Sequence, residues 1–188
     1  MTRAFTKSVL MLAVLGIAAA APLQAGTRES VREILRARHP IVMTAAEWQK
    51  LGADVDTHLL EAAADSGLTY GARQRALSAL SVVGGPRAKE FLRDMVRNAR
   101  VAPELLSTAV SEYARTFSKT DPTDVRIVTV PLLEHEDWTV RQGAVRALGE
   151  LGSKEGFEAM RLRQTRETHP AVQSALRTAL RPSDTEKH

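Results

Sequence analysis

Several groups of residues in this chain have types and spacings that could do chemistry. The densest titratable run is Glu134-His135-Glu136-Asp137. Two or three carboxylates beside an imidazole could hold a metal ion or move a proton. No HExxH and no further His or carboxylate at metal-ligand spacing accompanies them, so a solvated charge run between helices is expected. His39, His58, His169 and His188 stand apart, and His169-Pro170 reads as a helix start. Asp137 and Arg141 are four apart at a predicted helix start, which suggests a structural ion pair with the acid near the positive helix end rather than an anion site. Trp138 and Tyr70 precede similar segments and are expected to fill gaps between neighbouring elements. The basic residues Lys89, Arg93, Arg97 and Arg100 recur at helical spacing, and Arg161, Arg163 and Arg166 form a later row. Of these, Lys89, Arg93, Arg97 and Arg161 are the expected contacts for a protein or peptide partner, an acidic one by charge complementarity.

Nothing in the sequence assembles a nucleophile with a base. GxSxG, P-loop and dinucleotide fingerprints are absent, and Gly84-Gly85 has neither a preceding strand pattern nor a following Lys-Ser/Thr. With no cysteine, disulfides, thiolate nucleophiles and Cys-based zinc sites are excluded. No catalytic residue, metal or cofactor is expected on this basis.

The elements that must position these residues come from internal repetition. DWTVRQGAVRAL at 137–148 is echoed by TYGARQRALSAL at 69–80, HPAVQSALRTAL at 169–180 and, more weakly, APELLSTAVSEY at 102–113. The starts are 33, 35 and 32 residues apart, an even period typical of helical solenoids. Val140, Ala144, Ala147, Leu148 and Leu151 fall on one helical face, as do Ala72, Ala76, Ala79, Leu80 and Val83. Helices with such alanine stripes pack closely and cannot bury that face alone. Gly152 suits a left-handed cap, and Gly84-Gly85-Pro86 separates two helices. Second helices are expected at 86–98, with Phe91, Leu92 and Met95 inward, and at 154–165, with Ala159, Met160 and Leu162 inward. A third is expected within 122–135, where Pro131 forces a late start or a bend. Upstream, Thr44-Ala45-Ala46-Glu47 is a capping box, 55–64 reads as a helix, and 28–38 as a basic amphipathic cap.

These units resemble the short HEAT repeats named after phycobilisome lyases, with Val140-Arg141-Gln142-Gly143-Ala144 and Ala147-Leu148-Gly149-Glu150-Leu151-Gly152 matching the form VRxxAxxALGxLG. The resemblance covers about 55–181 and implies an all-α fold: an α-α superhelix, a solenoid of about four helical hairpins whose second helices line a concave face.

The expected organisation is thus a secretory signal at 1–25, capping helices at 26–54, the repeat domain at 55–181 and a flexible tail at 182–188. Arg3 and Lys7, the apolar run Val9–Pro22 and closing small residues support the signal, with cleavage after Ala25. Removing residues 1–25 lowers the net charge from +4 to +2, which weakens any nucleic-acid reading. No integral membrane segment is expected after cleavage. The functional expectation is a non-enzymatic interaction module in the bacterial envelope, periplasmic or secreted, binding its partner on the concave face. The competing expectation is an accessory subunit or lyase-type enzyme of the HEAT-like kind, and nucleic-acid binding ranks last.

Overall fold

Capping residues divide the chain into short helices. Thr44, Thr69, Asp121, Asp137 and Ser153 each accept a backbone N–H from the first turn that follows, relieving donors a helix start leaves without partners. The computed structural model describes residues 21–37, 42–98 and 100–181. The helices are α1 (Ala21–Arg36), α2 (Ala45–Gln49), α3 (Val55–Ala64), α4 (Tyr70–Val83), α5 (Gly85–Arg97), α6 (Pro103–Phe117), α7 (Pro122–Thr129), α8 (Trp138–Leu151), α9 (Lys154–Gln164) and α10 (Pro170–Ala179). No strand occurs among the described residues, and no helix among them is long and apolar enough to cross a membrane.

The architecture is the expected all-α solenoid. α4, α6, α8 and α10 pack side by side in one layer, while α3, α5, α7 and α9 form the second. The alanine stripes explain the spacing. Ala72, Ala76, Ala79, Ala109, Ala144 and Ala147 are buried between the layers beside Leu77, Leu80, Leu105, Leu106 and Leu148. Each buried leucine contributes roughly 2 kcal/mol of apolar transfer. Tyr113 and Phe117 form an aromatic ring pair in this part of the core, with centroids 5.2 Å apart.

Three expectations need correction. Pro131 neither delays nor merely bends the second helix of its unit: α7 ends at Thr129 and a 3-10 turn runs over Val130–Glu134. The missing N–H of Pro131 is tolerated at the first positions of that turn. Leu162 lies outward, at 67% exposure, because Phe157 and Met160 take the inner face of α9. The cap helix expected over 28–38 starts and ends earlier: α1 runs over Ala21–Arg36, with Val31 and Leu35 buried against the first units. Residues 1–20 of the expected signal and the tail at 182–188 lie outside the described residues.

Gly84 and Gly152 have φ of 71° and 66°, where a side chain would be strained, so glycine ends α4 and α8 at these turns.

Candidate functional site

Side chains link each unit to the next at a separation close to the repeat itself. Arg28 pairs with Glu61 and Arg32 with Asp65, both 33 residues apart. Lys89 pairs with Asp121 over 32 residues and Arg93 with Asp124 over 31. Gln74 donates to Thr108 over 34, and Ser107 to the Thr139 carbonyl over 32. One repeat of translation brings such residues together on adjacent helices, so these contacts recur along the solenoid.

This ladder decides the fate of the basic residues singled out above. Lys89 Nζ lies 2.8 Å from Asp121, and Arg93 grips Asp124 with both Nε and a terminal nitrogen at 2.7–3.0 Å. Tyr113, fully buried, donates its hydroxyl to the same Asp124 at 2.5 Å. The Arg93 fork, aided by Tyr113, holds the Asp124 carboxyl down to about 2, and burial pushes the Tyr113 phenol above its ordinary range. Arg97 and Arg161 are exposed and make no ion pair among the described residues. The four residues therefore do not form one row: two brace α5 against α7, and two face solvent.

Arg141 departs from expectation too. Asp137 does not pair with it but caps α8 through the Thr139 N–H at 2.7 Å. Arg141 instead reaches Glu167 in the next unit at 2.8 Å and donates to the carbonyls of His135 and Glu136. Glu167 also receives Arg163 and the N–H groups of Thr168 and His169. Burial pushes the Glu167 carboxyl up, but these bonds outweigh it and bring it down to about 2. Arg141 is thus structural, but its partner is Glu167 and not Asp137. Glu134 is bound by Arg163 and Arg166, so the charge run at 134–137 is part of this brace, and no metal-binding cluster exists among the described residues. Trp138 stacks on His169 of the next unit, 4.2 Å away and 8° from parallel, which fills the gap as expected. Tyr70 does not: it is 53% exposed, with the Arg73 guanidinium 6.0 Å from its ring centre.

Two features were missed from sequence. Glu112 on α6 accepts hydrogen bonds from Ser78 and Ser81 of α4, each at 2.6 Å, and from Arg115. Burial raises the Glu112 carboxyl, but these donors overcome it and hold the group ionised below its ordinary value. The signal was available: Glu112 occupies the repeat position held by Ala79, Ala147 and Ala179 in the other copies. The second is an open groove of about 610 Å³ between α8 and α10. Gln142, Arg146, Gly149 and Glu150 form one wall; Ala171, Ser174, Ala175, Thr178 and Ala179 form the other. Its size suits a small organic ligand, and Arg146 is exposed there without an ion pair among the described residues.

No family model matches the chain. Over 159 residues it is 26% identical to the "Bilin biosynthesis protein PecF" of Nostoc sp. (strain PCC 7120), covering 79% of this chain and 91% of that protein. Its fold matches a chain in the solved complex of CpcE and CpcF of phycocyanin lyase from Nostoc sp. PCC7120, with a TM-score of 0.58 at 15% identity, over 82% of this chain and 98% of that one. The chain is similar to phycobilin lyase subunits. An engineered protein of known structure also aligns, at a TM-score of 0.47 and 17% identity. The likeness to bilin proteins overturns the expectation of a non-enzymatic interaction module and favours the lyase-type alternative. That expectation leaned on architecture and on missing motifs, and an architecture of this kind does not fix function.

Proposed function

We propose that this chain is a subunit of a lyase-type enzyme that handles a bilin, a linear tetrapyrrole bearing propionate groups, together with a protein partner. The observation that carries this reading is the likeness to a bilin biosynthesis protein across 91% of that protein's length. The matched structure is a chain of a two-protein phycocyanin lyase complex, which is consistent with a second protein subunit as partner. Arg97 and Arg161, exposed on the second-helix layer, are proposed to contact that partner.

A lyase makes or breaks a bond by addition or elimination. Because this chain has no cysteine, it offers no thiol of its own, and any sulfur nucleophile adding to the bilin belongs to the acceptor protein. The protein's share of the work is then binding, orientation and exclusion of competing nucleophiles. The export reading of Arg3, Lys7 and the following apolar run remains part of the proposal and places this activity in the envelope; N-terminal sequencing of the exported protein tests it.

The test of function is a titration of the purified chain with biliverdin, followed by visible absorbance. A saturable spectral change near one ligand per chain is expected. Spectra that superimpose on free biliverdin at every protein concentration would remove the reading.

A further inference from the structure

The α4–α6 and α8–α10 seams occupy equivalent places in the repeat. Ser78 and Ser81 on α4 correspond to Arg146 and Gly149 on α8, each 68 residues on. Thr108 and Glu112 on α6 correspond to Ala175 and Ala179 on α10, each 67 residues on. At the first seam the Glu112 carboxylate fills the space between the helices, held by Ser78, Ser81 and Arg115. At the second, alanines replace both Glu112 and Thr108, and the groove of about 610 Å³ opens at that place. The helices still approach closely at one point, since a Cβ on Gly149 would lie 3.2 Å from that of Ala179. Small side chains alone do not open it, because the α6–α8 seam carries Gly143 and Ala147 at the same positions and is closed, with a Cβ on Gly143 lying 2.9 Å from the Ser107 hydroxyl. Along α8–α10 the helices meet at Gly149 and Ala179 and leave the rest of the seam open.

The chemistry of the seam changes with its volume. Where α4 offers the neutral hydroxyl of Ser78 to an internal carboxylate, α8 offers the guanidinium of Arg146. Gln142, equivalent to Gln74, is anchored by its bond to the Ala171 carbonyl at 3.3 Å, and Thr178 donates to the Ser174 carbonyl at 3.1 Å. Ala171, Ala175 and Ala179 give the opposite wall a smooth apolar ridge. Glu150 is the one carboxylate in the lining; it is exposed and makes no ion pair with Arg146.

We infer that the α8–α10 groove binds a carboxylate carried on an apolar frame, with Arg146 as its cation and the alanine ridge of α10 beneath the frame. A guanidinium fork suits a carboxylate in two-point contact, and the volume lies in the range of small-ligand sites. The inference rests on the proposed function for the ligand's identity as a bilin, but not for its charge or its place.

The test uses the full chain with three probes: biliverdin, its dimethyl ester and dodecanoate. Arg146→Gln is expected to weaken biliverdin binding about tenfold or more, the loss typical of a charged hydrogen-bonding partner. Glu150→Gln is expected to tighten it several-fold by removing repulsion. The ester is expected to be indifferent to Arg146→Gln, and Ala175→Leu to block acid and ester alike. Circular dichroism establishes that each variant is folded as the parent is. Biliverdin binding that is unchanged in both Arg146→Gln and Ala175→Leu would overturn the groove and leave the bilin reading intact. Arg146-dependent binding of dodecanoate without any binding of biliverdin would support the groove and remove the bilin. No binding of any probe would remove both.

Discussion

Glu167→Gln is the sharpest perturbation of the solenoid itself. Glu167 is 4% exposed and Arg141 8%, and the pair joins α8 to the loop before α10. Breaking a buried pair from one side costs roughly 3–5 kcal/mol, because the remaining charge is uncompensated. Arg141 retains two carbonyl acceptors in the variant, and Arg163 retains Glu134, so the lower end applies. An independent figure comes from protonation. The folded Glu167 carboxyl stands at about 2 against an ordinary 4.5, a gap worth at most about 3 kcal/mol. Its sign is that of a depressed acid: the contribution is complete above pH 4.5 and is lost as pH falls through about 2. Thermal melts followed by circular dichroism at pH 7 should show the variant about 6–12 °C below the parent, at roughly 2–4 °C per kcal/mol for a chain of this size. That difference should shrink as the pH is lowered from about 4.5 towards 2, because the parent loses the same carboxylate. A variant melting within about 2 °C of the parent at pH 7 would refute the brace. So would a difference that stays constant down to pH 2.

Other outcomes follow from the same structure. Tyr113→Phe should destabilise by about 1–2 kcal/mol, since a buried donor to Asp124 is lost while Arg93 keeps its grip, as urea titration would show. Trp138→Ala should cost about 1–2 kcal/mol through the lost stack on His169, whereas Tyr70→Ala should stay within about 0.5 kcal/mol; equal losses would contradict the different roles assigned to them. Leu148→Ala, at a fully buried position between the layers, should cost about 2–5 kcal/mol in the same titration.

The helical frame was legible because its signal is local and repeated. Ala144 and Ala76 recur at one face position for a packing reason, and Thr44 announces a helix start through its bonds with Glu47 three residues on. The cross-unit ladder was less legible, because Arg93 finds Asp124, and Arg141 finds Glu167, only after the solenoid has been wound. For Arg93 the period itself held the missing clue, since Asp124 lies about one repeat on, whereas Glu167 stands only 26 residues from Arg141 and the period does not point to it. The α8–α10 groove was hidden too. Ala179 matches Ala79 and Ala147, but the position of Ala175 holds Arg75, Thr108 and Gly143 in the other copies, so no recurring residue marks the groove and it emerges only where α8 and α10 pack. Lys89 and Arg93 were read as free surface because helical spacing reveals a row of cations but not the carboxylates on the adjoining helix. No catalytic motif marks the lyase-type reading; the form VRxxAxxALGxLG raised it only as an alternative, and the likeness to a bilin biosynthesis protein over 79% of the chain favours it.

The most direct test of the account is catalytic. A bilin, a cysteine-bearing acceptor protein and the purified chain with the proposed partner subunit are mixed, and covalent adduct is followed by bilin fluorescence on denaturing gels. The account predicts adduct that forms faster with the chain than without it, and more slowly when Arg146→Gln replaces the parent. Adduct formation at the same rate with and without the chain would contradict it.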